Sequence, residues 1–351
     1  MESHRAGPPD FASRAGPHDI GGLPPFDPVD RAEHALAHWE KEADAIRMLL
    51  GDATRRILLT DETRVAQETL DDATYWRLAY YERWITALQR ILVGKGIVSA
   101  AELDAARARL VQAGAHLVPP AAHHDHDHGH DHDHGHDHDH GHDHDHGHDH
   151  DHGHDHAHPF QPDDEGEAVE ISPERLTGMA IRELLLAKGV ITANEIRAQI
   201  ELMDSRGTHL AVPAITRAWT DPAYRARLLE NANAALLEVG TDPGATPIMV
   251  VANEPGLHNV IVCTLCSCYP RTVLGRPPAW YKSRAYRARM VAEPRAVLAE
   301  FGCTLPEGVR VRVHDSTAEL RYLVLPLPPA GATGAALAEA VTRDRLIGVA
   351  R

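Results

Sequence analysis

Three of the chain's four cysteines, Cys263, Cys266 and Cys268, fall within six positions, in Val262-Cys-Thr-Leu-Cys-Ser-Cys-Tyr269. The spacing does not suit a structural disulfide. It also suits zinc poorly, because C-x₂-C-x-C supplies three side-chain ligands where a structural zinc site uses four. It does suit an ion that accepts backbone nitrogen. In Cys266-Ser267-Cys268 two sulfurs and the two amides of Ser267 and Cys268 can close fused chelate rings, leaving Cys263 to bind from the axial side. An amide binds only after losing its proton, which calls for a strongly acidic ion such as trivalent cobalt or iron. A zinc site completed by a distant ligand and a group of reactive thiols are the plain alternatives.

The residues around this cluster resemble the metal claw of nitrile hydratase α subunits and of the related thiocyanate hydrolase γ subunit. The resemblance runs on through Trp280-Tyr-Lys-Ser283, Pro294-Arg-Ala-Val-Leu-Ala-Glu-Phe-Gly302, Asp315-Ser316 and Thr342-Arg-Asp344, and covers about residues 170–351. It implies that Cys263, Cys266, Ser267 and Cys268 hold the metal, and that Cys266 becomes a sulfinic acid and Cys268 a sulfenic acid, both rungs of the ordinary thiol oxidation ladder. Threonine after the first cysteine usually accompanies cobalt in this family and serine iron, so Thr264 favours Co(III) over Fe(III). Asp315 and Arg321 are expected to support the claw from behind. Cys303 is read as a small buried hydrophobe without a role.

A weaker resemblance covers the N-terminal part. His18-Asp-Ile-Gly-Gly22, Trp39-Glu40 and Tyr80-Tyr-Glu-Arg-Trp84 are similar to the N-terminal half of nitrile hydratase β subunits and to the thiocyanate hydrolase β subunit. This places Arg64 where the family has an arginine that hydrogen-bonds the oxidised cysteines, a task that suits a planar guanidinium. Tyr80 and Trp84 match substrate-pocket positions. A surface arginine and helix-core aromatics are the ordinary alternatives. The chain therefore resembles a fusion of a β-subunit N-terminal half, a linker and an α subunit. No segment corresponds to the small SH3-like barrel that ends the family's β subunit, so a separate SH3-like chain is expected as partner, in an oligomer.

Two substrates remain open. The resemblance implies nitrile hydration by a low-spin Co(III) centre acting as Lewis acid, with Cys268 as nucleophile or base and Arg64, Tyr80, Trp84 and Arg271 around the substrate. Nitrile hydratases commonly carry tryptophan after Cys-Tyr-Pro, however, and this chain carries Arg271, as thiocyanate hydrolase does. An arginine there would favour an anion.

The elements that must position these residues follow from pattern. Residues 1–16 are rich in Gly, Pro and charge and are expected to be disordered. Residues 17–115 read as a helical domain. Apolar spacing predicts a helix over His34–Leu50, and Trp84, Leu88, Ile91 and Leu92 share one helical face. Lys95-Gly-Ile-Val-Ser-Ala-Ala-Glu-Leu103 recurs as Lys188-Gly-Val-Ile-Thr-Ala-Asn-Glu-Ile196: a glycine stop followed by a capping box. Either a duplicated hairpin or convergence on common joint chemistry explains the repeat.

Residues 116–166 read as a linker. Its stretch 123–158 holds 19 histidines and 11 aspartates and nothing apolar to bury. Its imidazoles could capture divalent cobalt, nickel or zinc, making the whole protein a metal store or metallochaperone in a third reading, or the tract could be a solvated spacer. Residues 167–351 read as the metal domain, opening with helices (Ser172-Pro173 is a cap followed by proline). It turns to strands at Ile248–Val251, Val260–Val262, Val309–His314 and Leu320–Leu325. The fold class expected is α+β: a helical N-terminal domain, then a layered α/β domain with a helical arm.

Composition bounds the rest. At 351 residues and 43% hydrophobic the chain can bury ample core. Its formal charge is −16, of which the tract's aspartates account for all but five units. No basic stripe suggests nucleic acid. No apolar run could span a membrane and no signal peptide is visible, so a cytoplasmic location is expected.

Overall fold

The structure, a computed structural model, describes residues 16–23, 27–33, 35–114 and 171–351. The N-terminal segment 1–15, His34 and the His/Asp-rich linker lie outside the described residues. The described chain is α+β, with helices predominating. Five helices come first: α1 His38–Leu50, α2 Thr60–Glu68, α3 Asp72–Arg77, α4 Tyr80–Gly94 and α5 Ala100–Gln112. A further five open the C-terminal half: α6 Pro173–Ala187, α7 Ala193–Asp204, α8 Val212–Thr220, α9 Pro222–Glu230 and α10 Ala232–Glu238. Then come β1 Ile248–Ala252, β2 Leu257–Val262, α11 Arg271–Leu274, α12 Ala279–Lys282, α13 Arg284–Ala292, α14 Pro294–Glu300, β3 Arg310–Asp315, β4 Arg321–Leu325, α15 Ala335–Glu339 and α16 Arg343–Ile347. Among the described residues α1 begins at His38, later than the apolar spacing alone suggests.

The repeated phrase forms the same joint twice. Gly96 and Gly189 both stop a helix in the left-handed region, at φ +68° and +66°. Ser99 then accepts from the Glu102 amide at 3.2 Å, and Thr192 from the Glu195 amide at the same distance, while each glutamate reaches back to its cap. The two hairpins, α4–α5 and α6–α7, pack on each other. Leu92, Val98, Leu103, Leu185, Ile191 and Ile196 lie in one buried cluster, so the helical arm of the C-terminal half completes the core of the N-terminal half. Gly178 of α6 lets α4 come close: a Cβ there would stand 2.8 Å from Ile85 Cδ1.

The second core surrounds the strands. β1 pairs with β4 and β2 with β3, both in parallel. In the β2–β3 register Val262 lies opposite Asp315. Parallel pairing thus brings two strand ends together, and the cysteine loop leaves β2 beside the last residue of β3. Gly348 is fitted to this core. A Cβ there would meet the Asn259 carbonyl oxygen at 2.1 Å, and its φ of +89° already favours glycine.

Candidate metal centre and its cavity

The loop after β2 gathers three sulfurs. Cys263 and Cys266 Sγ are 3.5 Å apart, Cys266 and Cys268 Sγ 3.3 Å, and all three lie within 4.8 Å of one another. Cys263 and Cys268 are buried, and Cys266 is half-buried. The Cys266 amide points at Cys263 Sγ (3.3 Å). The Cys268 and Ser267 amides also face sulfur, stabilising the thiolates of Cys263 and Cys266 respectively. Hydrogen bonds from the Cys263 and Cys268 thiols drive the Cys266 thiol well below its ordinary pKa, whereas hydrogen bonds with Cys263 and then Cys266 raise Cys268, and burial raises Cys263. The arrangement concentrates three soft donors and two inward-facing amides on one point, which fits an ion taking mixed sulfur and nitrogen ligands.

Four side chains hold the loop in this shape. Asp315 accepts from the Thr264 amide at 3.0 Å and from its hydroxyl at 2.5 Å. The buried Arg287 guanidinium donates to the carbonyls of Cys263 (3.3 Å), Thr264 (2.8 Å) and His18 (2.7 Å). Tyr281 donates to the Cys268 carbonyl at 2.8 Å, and Tyr286 to the Ile261 carbonyl at 2.6 Å. Carbonyls turned outward onto these donors leave the amides turned inward. The N-terminal segment closes against the same loop: a Cβ on Gly21 would come within 2.9 Å of the Thr264 methyl.

A cavity of about 120 Å³ opens beside Cys266, Ser267 and Cys268. Both halves line it, with Arg64 from α2, Tyr80 and Trp84 from α4, and Arg271 and Arg321 from the C-terminal half. Tyr80 exchanges a short hydrogen bond with the Ser267 hydroxyl. Trp84 packs partly into the helical core and also faces the cavity, so it belongs to both. Arg64 hydrogen-bonds no cysteine here. It lies near Glu68 (3.5 Å), Asp61 (3.8 Å) and Glu319 (3.8 Å), and its Nε is buried without a partner. Burial opposes its charge, but the Cys266 and Cys268 sulfurs, with Glu68 and Glu319, outweigh that and raise its pKa. Arg321 Nη1 is likewise buried and unpartnered.

Arg271 departs from the simple expectation of a free cation. Both of its outer nitrogens bind the carboxylate of Asp44 on α1, at 3.0 Å for Nη1 and closer for Nη2. Asp44 is wholly buried and also faces Arg276 Nε at 3.7 Å. The sequence assigned no role to Asp44 or Arg287, and marked Tyr281 only as part of the Trp280–Ser283 block. No local pattern shows what they bind, because their partners are distant in sequence or are backbone atoms.

Comparison with known proteins covers both halves of the chain. Residues 173–350 match the family model "Nitrile hydratase, alpha chain", and residues 15–132 match "Nitrile hydratase beta subunit, N-terminal". The low-molecular-weight cobalt-containing nitrile hydratase subunit alpha of Rhodococcus rhodochrous is 48% identical over 175 residues, 48% of this chain and 84% of that protein. Thiocyanate hydrolase subunit gamma of Thiobacillus thioparus is 42% identical over 196 residues, 52% of this chain and 81% of that one. The nitrile hydratase subunit beta of Pseudomonas chlororaphis is 35% identical over 98 residues, 26% of this chain and 44% of that subunit. Among solved structures, a recombinant thiocyanate hydrolase comprising partially modified cobalt centres aligns at 42% identity over 52% of this chain and 90% of its own, with a TM-score of 0.49. With the α-chain match spanning half of its length and a β-type match ahead of it, the chain belongs to the nitrile hydratase family, joining in one polypeptide a segment similar to the N-terminal part of β subunits and an α-type segment.

Proposed function

We propose that the chain hydrates a small nitrile to its amide at a trivalent cobalt centre held by Cys263, Cys266 and Cys268 and by the amides of Ser267 and Cys268. Once bound, the cobalt would supply Lewis acidity toward substrate or water. Cobalt, rather than iron, is favoured by Thr264 and by the cobalt-containing relative. The chain's own groups do the rest. Dioxygen, as external oxidant, would take Cys266 to the sulfinate by four electrons and Cys268 to the sulfenate by two, and the unpartnered nitrogens of Arg64 and Arg321 offer donors to the new oxygens. The Cys268 sulfenate oxygen, held by Arg64, serves as nucleophile or base toward the nitrile carbon. Tyr80, fixed by Ser267, and Trp84 shape an aromatic wall for the substrate's apolar end.

The observation that carries the nitrile reading is the ion pair of Arg271. With its charge taken up by Asp44, the residue that most suggests an anion presents a neutral surface. Thiocyanate hydrolysis is the second reading: SCN⁻ and two waters giving carbonyl sulfide, ammonia and hydroxide. It is favoured by a cavity lined by six arginines and no carboxylate, with Arg47 Nε as well as Arg64 Nε unpartnered. A separate small SH3-like chain is expected to complete the unit, since the β-type match covers less than half of the β subunit.

The test is a substrate comparison. The chain is expressed with cobalt and a small SH3-like partner, then assayed for amide from simple nitriles and for carbonyl sulfide and ammonia from thiocyanate. Amide formation is the expected result. Carbonyl sulfide without amide would transfer the assignment to thiocyanate.

A further inference from the structure

Asp44 is a buried carboxylate on α1, one turn before Arg47, whose charge it also faces. Its neighbours Ala43, Ala45 and Ile46 belong to the helical core, and Asp44 itself has no solvent exposure. An unpaired carboxylate there would be strongly destabilising, so its partners are part of its placement. Those partners come from the other half of the chain. Arg271 grips it with two parallel nitrogens, and Arg276 lies behind at 3.7 Å. Arg276 is fixed in turn by Asp204, which also holds Lys41 at 3.0 Å. The forked geometry leaves Arg271 little freedom to swing, and the side chain is only a quarter exposed, toward the cavity it lines.

We propose that Asp44 is a specificity-determining positioning residue: by binding Arg271 it holds that arginine neutralised and rigid where it lines the cavity, and so favours an uncharged nitrile over an anion. This deepens the assignment of the cavity as the substrate site and rests on it. A purely structural clamp between the two halves would also use such a pair, but it would make no distinction between substrates of different charge.

The pair's net charge can be set without changing its size. Asp44→Asn leaves the pair at +1. The wild type and the double variant D44N/R271Q both hold the pair at zero. Arg271→Gln leaves it at −1, with Arg276 still beside Asp44, and Arg47 is present in all four proteins. The cobalt-loaded full-length protein with its small partner is assayed on thiocyanate and on propionitrile, and the ratio of the two kcat/KM values is read. The ratio should follow the pair's charge. D44N should raise it roughly tenfold, mainly through the KM for thiocyanate, R271Q should lower it comparably, and the double variant should return to within about twofold of wild type. Equal losses on both substrates, or a double variant displaced as far as either single one, would overturn the proposal.

Metal content and thermal melting identify any variant that fails to fold. If D44N does so, the comparison of R271Q with the double variant still decides. If the wild type turns over neither substrate, the functional reading fails while Asp44 remains testable: thiocyanate affinity, measured by calorimetry on the same four proteins, should keep the same order.

Discussion

At the scale of single residues, the cysteine loop is a backbone held inside out. Arg287, Tyr281 and Tyr286 take carbonyls outward, and Asp315 fixes Thr264, so that sulfurs and amides converge. Replacing Cys268 with Ser removes a proposed metal ligand and the proposed nucleophile together. Turnover should vanish in the amide assay, and full activity in that variant would sink the mechanism. Asp315→Asn keeps the shape of the side chain but loses a charge-assisted acceptor, an interaction of about 1.5–3 kcal/mol. Cobalt per chain, read by elemental analysis after dialysis, should fall while the fold persists.

Lys282 is a second test at this scale. It sits 4.6 Å from the centroid of the Tyr80 ring, and burial lowers its pKa to about 8. The unfolded side chain keeps its proton to higher pH, so the folded state carries fewer protons between about 8 and the ordinary lysine value. Stability contributed by this group should therefore rise with pH across that window. Denaturant midpoints at pH 7.5 and 9.5 should show that rise in the wild type and a smaller one in Lys282→Met.

At the scale of elements, the joints were the most readable part of the chain. Both capping boxes and both glycine stops are local chemistry, complete within eight residues, and both form as the sequence expects. Ser99→Ala should cost about 1 kcal/mol, seen as a lower melting temperature with activity per folded molecule unchanged. The strands were equally plain as periodicity, but their partners were not. Parallel pairs join segments some fifty to seventy residues apart, and only that pairing sets Asp315 opposite Val262. Gly348 shows the same dependence. Its neighbour is the Asn259 carbonyl, nearly ninety positions earlier, so Gly348→Ala combines a backbone clash with an unfavourable φ. A loss of several kcal/mol is expected, measurable as destabilisation or failure to accumulate folded protein.

At the scale of the whole molecule, the site is a seam. One wall comes from α2 and α4, the other from the loop after β2 and from α11, and the helical core itself mixes both halves. Carrying both walls on one chain makes their meeting intramolecular, which raises the effective concentration of one for the other. Every residue named in either wall lies outside the His/Asp tract. Deletion of residues 123–158 should leave the centre and its activity intact when cobalt is plentiful, by metal analysis and amide assay. Loss of most metal-binding capacity together with activity would favour a storage role.

The sequence alone determined the chemistry-bearing loop, the helical joints, the strand segments and the α+β class. Each is written in neighbouring residues: thiol spacing, glycine stops, caps and alternation. It also marked Arg64, Tyr80, Trp84 and Arg271 as residues to watch, and all four line one cavity with Cys266 and Cys268. Only the tertiary structure decided what they face. Asp44 is one acid among 51 Asp and Glu residues, and nothing near it in sequence announces a guanidinium 227 positions away. Because charge is neutralised through space and not along the chain, Arg271 read as a cation in sequence and stands as half of a neutral pair in the fold.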